Sequence, residues 1–132
     1  MTALFLTCLD VELIEDKVWC LTKDLIYQSD IVGRIVIPAG FITDFASVPR
    51  VPIAFMAWGD RVHREAVVHD FLYRRDCPVD VPREVADRVF LEAMECRNKP
   101  FYVRYPMYWG VRMGGASSWK KRHILECDWR GL

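Results

Sequence analysis

The sequence predicts an α+β fold, with a small N-terminal antiparallel β-sheet followed by a loop and about three α-helices. Three observations predict it. Residues 3–38 carry short β-branched and aromatic runs separated by charged or glycine turns. Pro38, Gly40 and Pro49 then break any regular element. From Asp60 onward, apolar residues recur at helical rather than alternating spacing. The 132 residues fit one domain, β-rich over 1–50, helical over 60–115, with a basic and aromatic segment over 116–132.

The strand candidates come in order. Leu4 to Cys8 is a short apolar run, and Asp10 to Glu15 alternates roughly. Asp16-Lys17 makes a turn before Val18 to Thr22. Leu25 to Ser29 follows, and Ile35 to Ile37 closes the set behind Gly33. Residues 37–50 read as a shaped loop, in which Thr43, Asp44 and Ser47 are side chains that fold back onto loop backbone. The apolar stretch from Val51 to Trp58 covers the core or lines a mouth. Asp60 suits a helix N-cap, with the helix running from about Arg61 to Arg74. Pro82 suits the first turn of a second helix, which runs to about Arg97. A third helix falls within Tyr102 to Met113, with Pro106 in its first turn or kinking it, and Gly114-Gly115 stops it.

Composition excludes several functions. Lysine plus arginine and aspartate plus glutamate each number 18, so the formal charge is zero. That balance argues against nucleic acid or an anionic membrane as the main partner. Cys8, Cys20, Cys77, Cys96 and Cys127 are odd in number and form no CxxC pair, so neither a zinc finger nor a disulfide framework is expected. Free thiols made in a reducing compartment are the expectation. The N-terminus lacks a basic region ahead of its apolar run, and no run reaches the roughly 18 residues a membrane span needs. Synthesis is therefore expected in the cytoplasm.

The chemistry centres on His69-Asp70, set among Val67, Val68, Phe71, Leu72 and Tyr73. An imidazole and a carboxylate in apolar surroundings are costly unless they pair, bind metal or react. Helical spacing puts His69 on a face with Ala66, Leu72 and Tyr73, and Asp87 on a face with Phe90, Leu91 and Met94. A short proline-containing connection makes the two helices antiparallel neighbours. His69 and Asp87 are then expected to meet, with the carboxylate fixing the imidazole tautomer as general-base catalysis requires. The plainer reading of that pair is a buried structural hydrogen bond. Asp70 points off this face, where it could join Asp44 as an oxygen ligand to a cation such as Ca²⁺. Its plainer role is a salt bridge to Arg74, and that of Asp44 is an Asx-type backbone bond. His63 sits six residues before His69, not the four of paired metal histidines, and is read as a surface or capping residue.

Two resemblances extend this reading. Residues 38–50 (PAGFITDFASVPR), then Ala66 to Tyr73 and Ala86 to Met94, resemble an uncharacterised family of phage and prophage proteins, a domain of unknown function. That resemblance covers roughly residues 34–115 and implies a bacteriophage product, a virion component near the tail. Its pattern falls here on Asp44, His69, Asp70 and Asp87, and not on His63. A narrower run, His69 to Arg74 followed by Asp87 to Phe90 and Met94 to Cys96, is similar to the core of prokaryotic secreted phospholipases A2. Carried over by position, that likeness implies His69 as general base for a water, Asp70 as Ca²⁺ ligand and Asp87 as the group orienting His69. The chain departs from that family where Ala66 to Val68 replace a cysteine, leaving Cys96 without that partner, and in the sheet-forming N-terminal third. What the likeness implies is a shared site geometry, not a lipase.

Two functions follow. The first is a tail-associated hydrolase acting on a host cell-envelope ester or amide, with water activated by His69, Asp87 orienting it, and Asp70 and Asp44 holding Ca²⁺ or Zn²⁺. The second is a non-catalytic tail or baseplate adaptor that makes homo- or hetero-oligomeric contacts with other virion proteins. There Tyr102, Tyr105, Tyr108, Trp109, Trp119 and Trp129 serve packing and subunit contacts. A nucleic-acid binder using Lys120, Lys121 and Arg122 is the weakest reading. An open cleft at His69 favours the enzyme, and a sealed one the adaptor.

Overall fold

The structure is a computed structural model that describes residues 3–15, 18–43, 63–125 and 127. The expected turn at Asp16-Lys17, the N-cap Asp60, the apolar stretch 51–58, Trp129 and Asp44 lie outside the described residues. The expected α+β order holds among the rest. Strands β1 (Leu4–Phe5), β2 (Val11–Glu15), β3 (Val18–Leu21), β4 (Leu25–Ser29), β5 (Gly33–Ile37) and β6 (Ile42–Thr43) precede helices α1 (His63–Tyr73), α2 (Arg83–Cys96) and α3 (Phe101–Gly114). A 3₁₀ turn, Gly115–Ser117, follows α3.

The strands form two three-stranded antiparallel sheets, β1-β4-β5 and β2-β3-β6, rather than one sheet. In the β4–β5 hairpin Leu25 pairs with Ile37, and Ser29 with Gly33, whose φ of 86° suits glycine. Alternation buries Leu25, Tyr27, Ile35 and Ile37 and leaves Val36 outside, as period-2 geometry demands. The second sheet arises because Gly40, at φ 97°, turns the chain so that Ile42 and Thr43 pair with Cys20 and Trp19. Residues 42–43, expected within a loop, are thus a strand. Two residues carry no readable period, and distant partners hold them: Ile42 N donates to Leu125 O (2.9 Å), and just before the strand Gly40 O accepts from Cys127 N (2.7 Å).

Cys127 also forms a disulfide with Cys20, so the expectation of free thiols fails for that pair. The bond joins residues 107 apart in sequence, which is why no local spacing announced it. Closing a loop of that length restricts the unfolded chain by roughly 4–5 kcal/mol. Cys8, Cys77 and Cys96 are free thiols.

Helix α1 is the centre of the molecule. Every residue from Glu65 to Arg74 is buried, so the helix has no solvent face along that length. Val67, Val68, Phe71 and Leu72 pack with Leu21, Leu25, Tyr27, Ile35 and Phe41 from the strands and with Ala86, Val89 and Ala93 from α2. Phe41 meets Phe71 edge-on at 5.5 Å. Pro82 stands just before α2 as its N-cap, extended at φ −64° and ψ 159°, instead of inside its first turn. Pro100 does the same for α3, and Pro106 lies within that helix. Phe90 and Met94 of α2 form a second apolar cluster with Val103, Met107 and Val111 of α3. Among the described residues, no helix is long and apolar enough to cross a membrane.

Candidate functional site

Helix α1 delivers His69 to α2, as the spacing predicts. The imidazole Nε2 lies 2.8 Å from Asp87 Oδ1, and both side chains are within 1% of complete burial. Tyr73, one turn after His69, donates its hydroxyl to the same Oδ1 at 2.5 Å. Arg112, from the end of α3, donates Nη1 to Asp87 Oδ2 at 2.7 Å. One carboxylate therefore accepts from three donors. Burial alone would raise its pKa, but hydrogen bonds from His69, Tyr73 and Arg112 outweigh it and hold the carboxyl below its usual range. Burial, with the bond to Asp87, pushes the Tyr73 phenol up, so it stays a donor.

This sets the tautomer. An ionised carboxylate only accepts, so Nε2 of His69 carries the hydrogen. In the neutral ring Nδ1 is then a bare lone pair, and it has no hydrogen-bond partner among the described residues. The ring is wedged between Tyr73 (4.2 Å between centroids) and Phe90 (4.8 Å). The arrangement can take a proton at Nδ1 while Asp87 keeps the ring in place. Because Arg112 already neutralises Asp87, the carboxylate orients the base more than it stabilises the imidazolium.

Asp70 stands apart from this cluster. One residue along a helix turns a side chain about 100°, and Asp70 faces β6 and the C-terminal segment. Its Oδ2 accepts from Thr43 Oγ1 (2.8 Å) and Arg74 Nη2 (2.9 Å), and Arg122 Nη2 lies 3.8 Å from Oδ1. The plainer expectation, an ion pair one turn along α1, is what is seen. Two guanidiniums beside the carboxylate disfavour a cation there, and among the described residues no three His, Cys, Asp or Glu side chains gather. Asp44, the expected second ligand, is outside the described residues. His63 begins α1.

Four supporting residues are hard to see in the sequence. Tyr73 carries a signal, since it shares the His69 face four residues on, but on that face it reads as apolar packing. Arg112 carries almost none: a cation near a helix C-terminus is favoured anywhere. Gly115 follows Gly114 and by sequence only stops the helix. In fact a Cβ there would sit 2.5 Å from the Tyr73 hydroxyl and 3.2 Å from Arg83 Nη1. Arg83, in turn, donates to the carbonyls of Val111 (3.4 Å) and Arg112 (3.2 Å), fixing the end of α3 that carries Arg112.

Access differs from chemistry. His69 is only 1% exposed, and it lines neither of two cavities formed by described residues. The broader groove, about 640 Å³, is lined by Asp80, Pro82, Arg83 and Trp119 and does not include His69 or Asp87. A tighter cavity of about 280 Å³ ends on Asp70 and Tyr73, the neighbours of His69 in sequence and in space.

Residues 19–111 match the family described as Protein of unknown function (DUF1353). The chain belongs to that family. The DUF1353 match spans β3 to nearly the end of α3 and contains His69, Asp70, Tyr73 and Asp87. Arg112, Gly115 and the C-terminal segment lie beyond it. No curated protein and no solved structure matches the chain.

Proposed function

We propose that this DUF1353 protein is a bacteriophage tail-associated hydrolase acting on an ester or amide of the host cell envelope. One observation carries the chemistry: a buried imidazole whose Nε2 is held by Asp87 and whose Nδ1 lone pair has no partner among the described residues. An unused acceptor in the core is costly unless something visits it. In the proposed reaction Nδ1 removes a proton from water as the oxygen attacks the carbonyl carbon. The same proton then goes to the departing alkoxide or amine, returning the ring to neutral. The likeness of residues 34–115 to phage and prophage sequences carries the virion setting, and the likeness to phospholipases A2 supports the roles of His69 and Asp87.

A divalent cation, Ca²⁺ or Zn²⁺, belongs to the proposal through Asp70 and Asp44, on the condition that Arg74 releases Asp70. No step above runs through it. The test is turnover of phospholipid and peptidoglycan by the full chain, with each metal and with chelator. The expected result is that His69→Ala loses activity by roughly 10²–10⁴-fold, the usual contribution of a general base. Equal turnover by that variant sinks the catalytic role.

The sealing of His69 counts toward the adaptor reading, and the hydrolase needs a motion that opens a route to Nδ1. The adaptor reading also has a second observation. Phe101, Tyr105, Trp109 and Met113 are spaced four residues apart on α3 and are 67%, 42%, 57% and 84% exposed. Such a stripe suits contact with another protein. Retained particle assembly in His69→Ala phage, with loss in Trp109→Ser, would favour it.

A further inference from the structure

The cavity that ends on Asp70 and Tyr73 has a chemistry of its own. Its described walls include three cations, Arg74, Lys121 and Arg122, against one carboxylate, Asp70. That carboxylate is already bonded by Thr43 and Arg74. The remaining field in the cavity is therefore positive.

Arg74 gives the field a direction. Its side chain is only 3% exposed. Nη1 donates to His123 O (3.2 Å), and Nη2 donates to Asp70 and to Ile42 O (3.3 Å). Its Nε–H is buried and has no acceptor among the described residues. A guanidinium N–H in the core calls for an oxygen partner. Ser117 and Ser118 stand on the same wall; each hydroxyl donates to a carbonyl, of Gly114 (3.2 Å) and Gly115 (3.1 Å), and would exchange that bond to donate to a ligand. At about 280 Å³ the space lies at the small end of ligand pockets, which run roughly 300–1,000 Å³. It admits one compact group rather than a polymer chain.

We infer that this cavity is a binding site for a phosphate oxyanion, as a monoester or a diester. A guanidinium N–H, an ammonium and two hydroxyls come from separate elements, α1 and the segment after α3. Such divergent donors suit a tetrahedral anion better than a planar carboxylate. The site does not depend on hydrolysis at His69. It would place an anionic group beside Tyr73 and Asp70, against the orienting network of that histidine.

The experiment uses the full chain at fixed ionic strength, titrated with inorganic phosphate, dimethyl phosphate or acetate. Calorimetry reads affinity, and the arginine Nε–H resonances read place. Phosphate is expected to move the Arg74 Nε–H signal, and the exposed substitution Lys121→Ala is expected to weaken binding by about tenfold, as loss of one charge-assisted bond does. Tighter binding of inorganic phosphate assigns a monoester, and tighter binding of dimethyl phosphate a diester. The inference is overturned by no binding, by an unmoved Arg74 signal, by wild-type affinity in Lys121→Ala, or by acetate acting equally.

Discussion

The interface between α1 and α2 buries two carboxylates and treats them in opposite ways. Asp87 on α2 is fully buried, and Glu65 on α1 is 1% exposed. Asp87 accepts from His69, Tyr73 and Arg112 at 2.5–2.8 Å. Glu65 has Arg97 Nε at 3.8 Å, and its Oε1 accepts no hydrogen bond among the described residues. Burial would raise both pKa values. At Asp87 the donors reverse that effect and the carboxyl ends below its usual range. At Glu65 a bond from its own backbone and the Lys99, Arg97 and Arg64 charges do not, and the carboxyl ends above it. Both carboxyls are cut off from water at a cost, and the close side-chain donors at Asp87 reverse the sign there.

The largest expected effect is at the satisfied end. Asp87→Ala strips three donors of their acceptor inside the core. Urea unfolding should show a loss of about 3–5 kcal/mol, the usual result of breaking a buried pair by removing one partner. Asp87→Asn should cost less, since an amide oxygen still accepts. A loss in Asp87→Ala no larger than that of an exposed substitution, roughly 0.5 kcal/mol, removes the contrast between the two ends.

Gly115→Ala comes next and tests the satisfied end from behind. The new methyl would meet the Tyr73 hydroxyl at 2.5 Å, so the phenol must move off Asp87 or the 3₁₀ turn must shift. Overpacking of this kind costs about 1–3 kcal/mol. In any assay that depends on His69 it should also lower turnover, because the ring packs on Tyr73 at 4.2 Å. Unchanged stability together with an unchanged Tyr73 environment by NMR would show that Gly115 only ends the helix.

These two residues mark where the sequence stopped being legible. The order of strands then helices, the three helices to within a few residues, and the meeting of His69 with Asp87 all follow from local period and a short connection. Each depends on neighbours within about 20 residues. What could not be read depends on long-range pairing: the splitting of the strands into two sheets, the Cys20–Cys127 bond, and the arrival of Arg112 at Asp87. The burial of Asp70 also escaped, because facial sorting assumes a helix with a wet side and α1 has none between Glu65 and Arg74. The ion pair of Asp70 with Arg74 follows from the four-residue spacing, but the approach of Thr43 and of Arg122 from the C-terminal segment does not.

The smallest expected effect is at the Glu65 end, and its value lies in the pH dependence. A folded-state pKa above the unfolded value means that the folded protein holds a proton the unfolded chain releases. Stability from Glu65 is then greatest below about pH 4.3, the unfolded glutamate value, and declines as pH rises through the folded value. For Asp87 the sign reverses: its contribution is complete above about pH 3.9 and is lost as pH falls through the depressed folded value. Between about pH 4.3 and the folded pKa of Glu65, Asp87 is ionised in both states, so of these two groups only Glu65 sets the slope. Glu65→Gln cannot titrate. It should change stability at neutral pH by no more than about 1 kcal/mol, since one oxygen loses only a distant cation. In that variant the unfolding free energy should stop falling with pH over this window, while the acid limb belonging to Asp87 remains. Persistence of the wild-type slope would mean that Arg97 compensates Glu65 as fully as Arg112 compensates Asp87, and the two ends would then differ in geometry but not in energy.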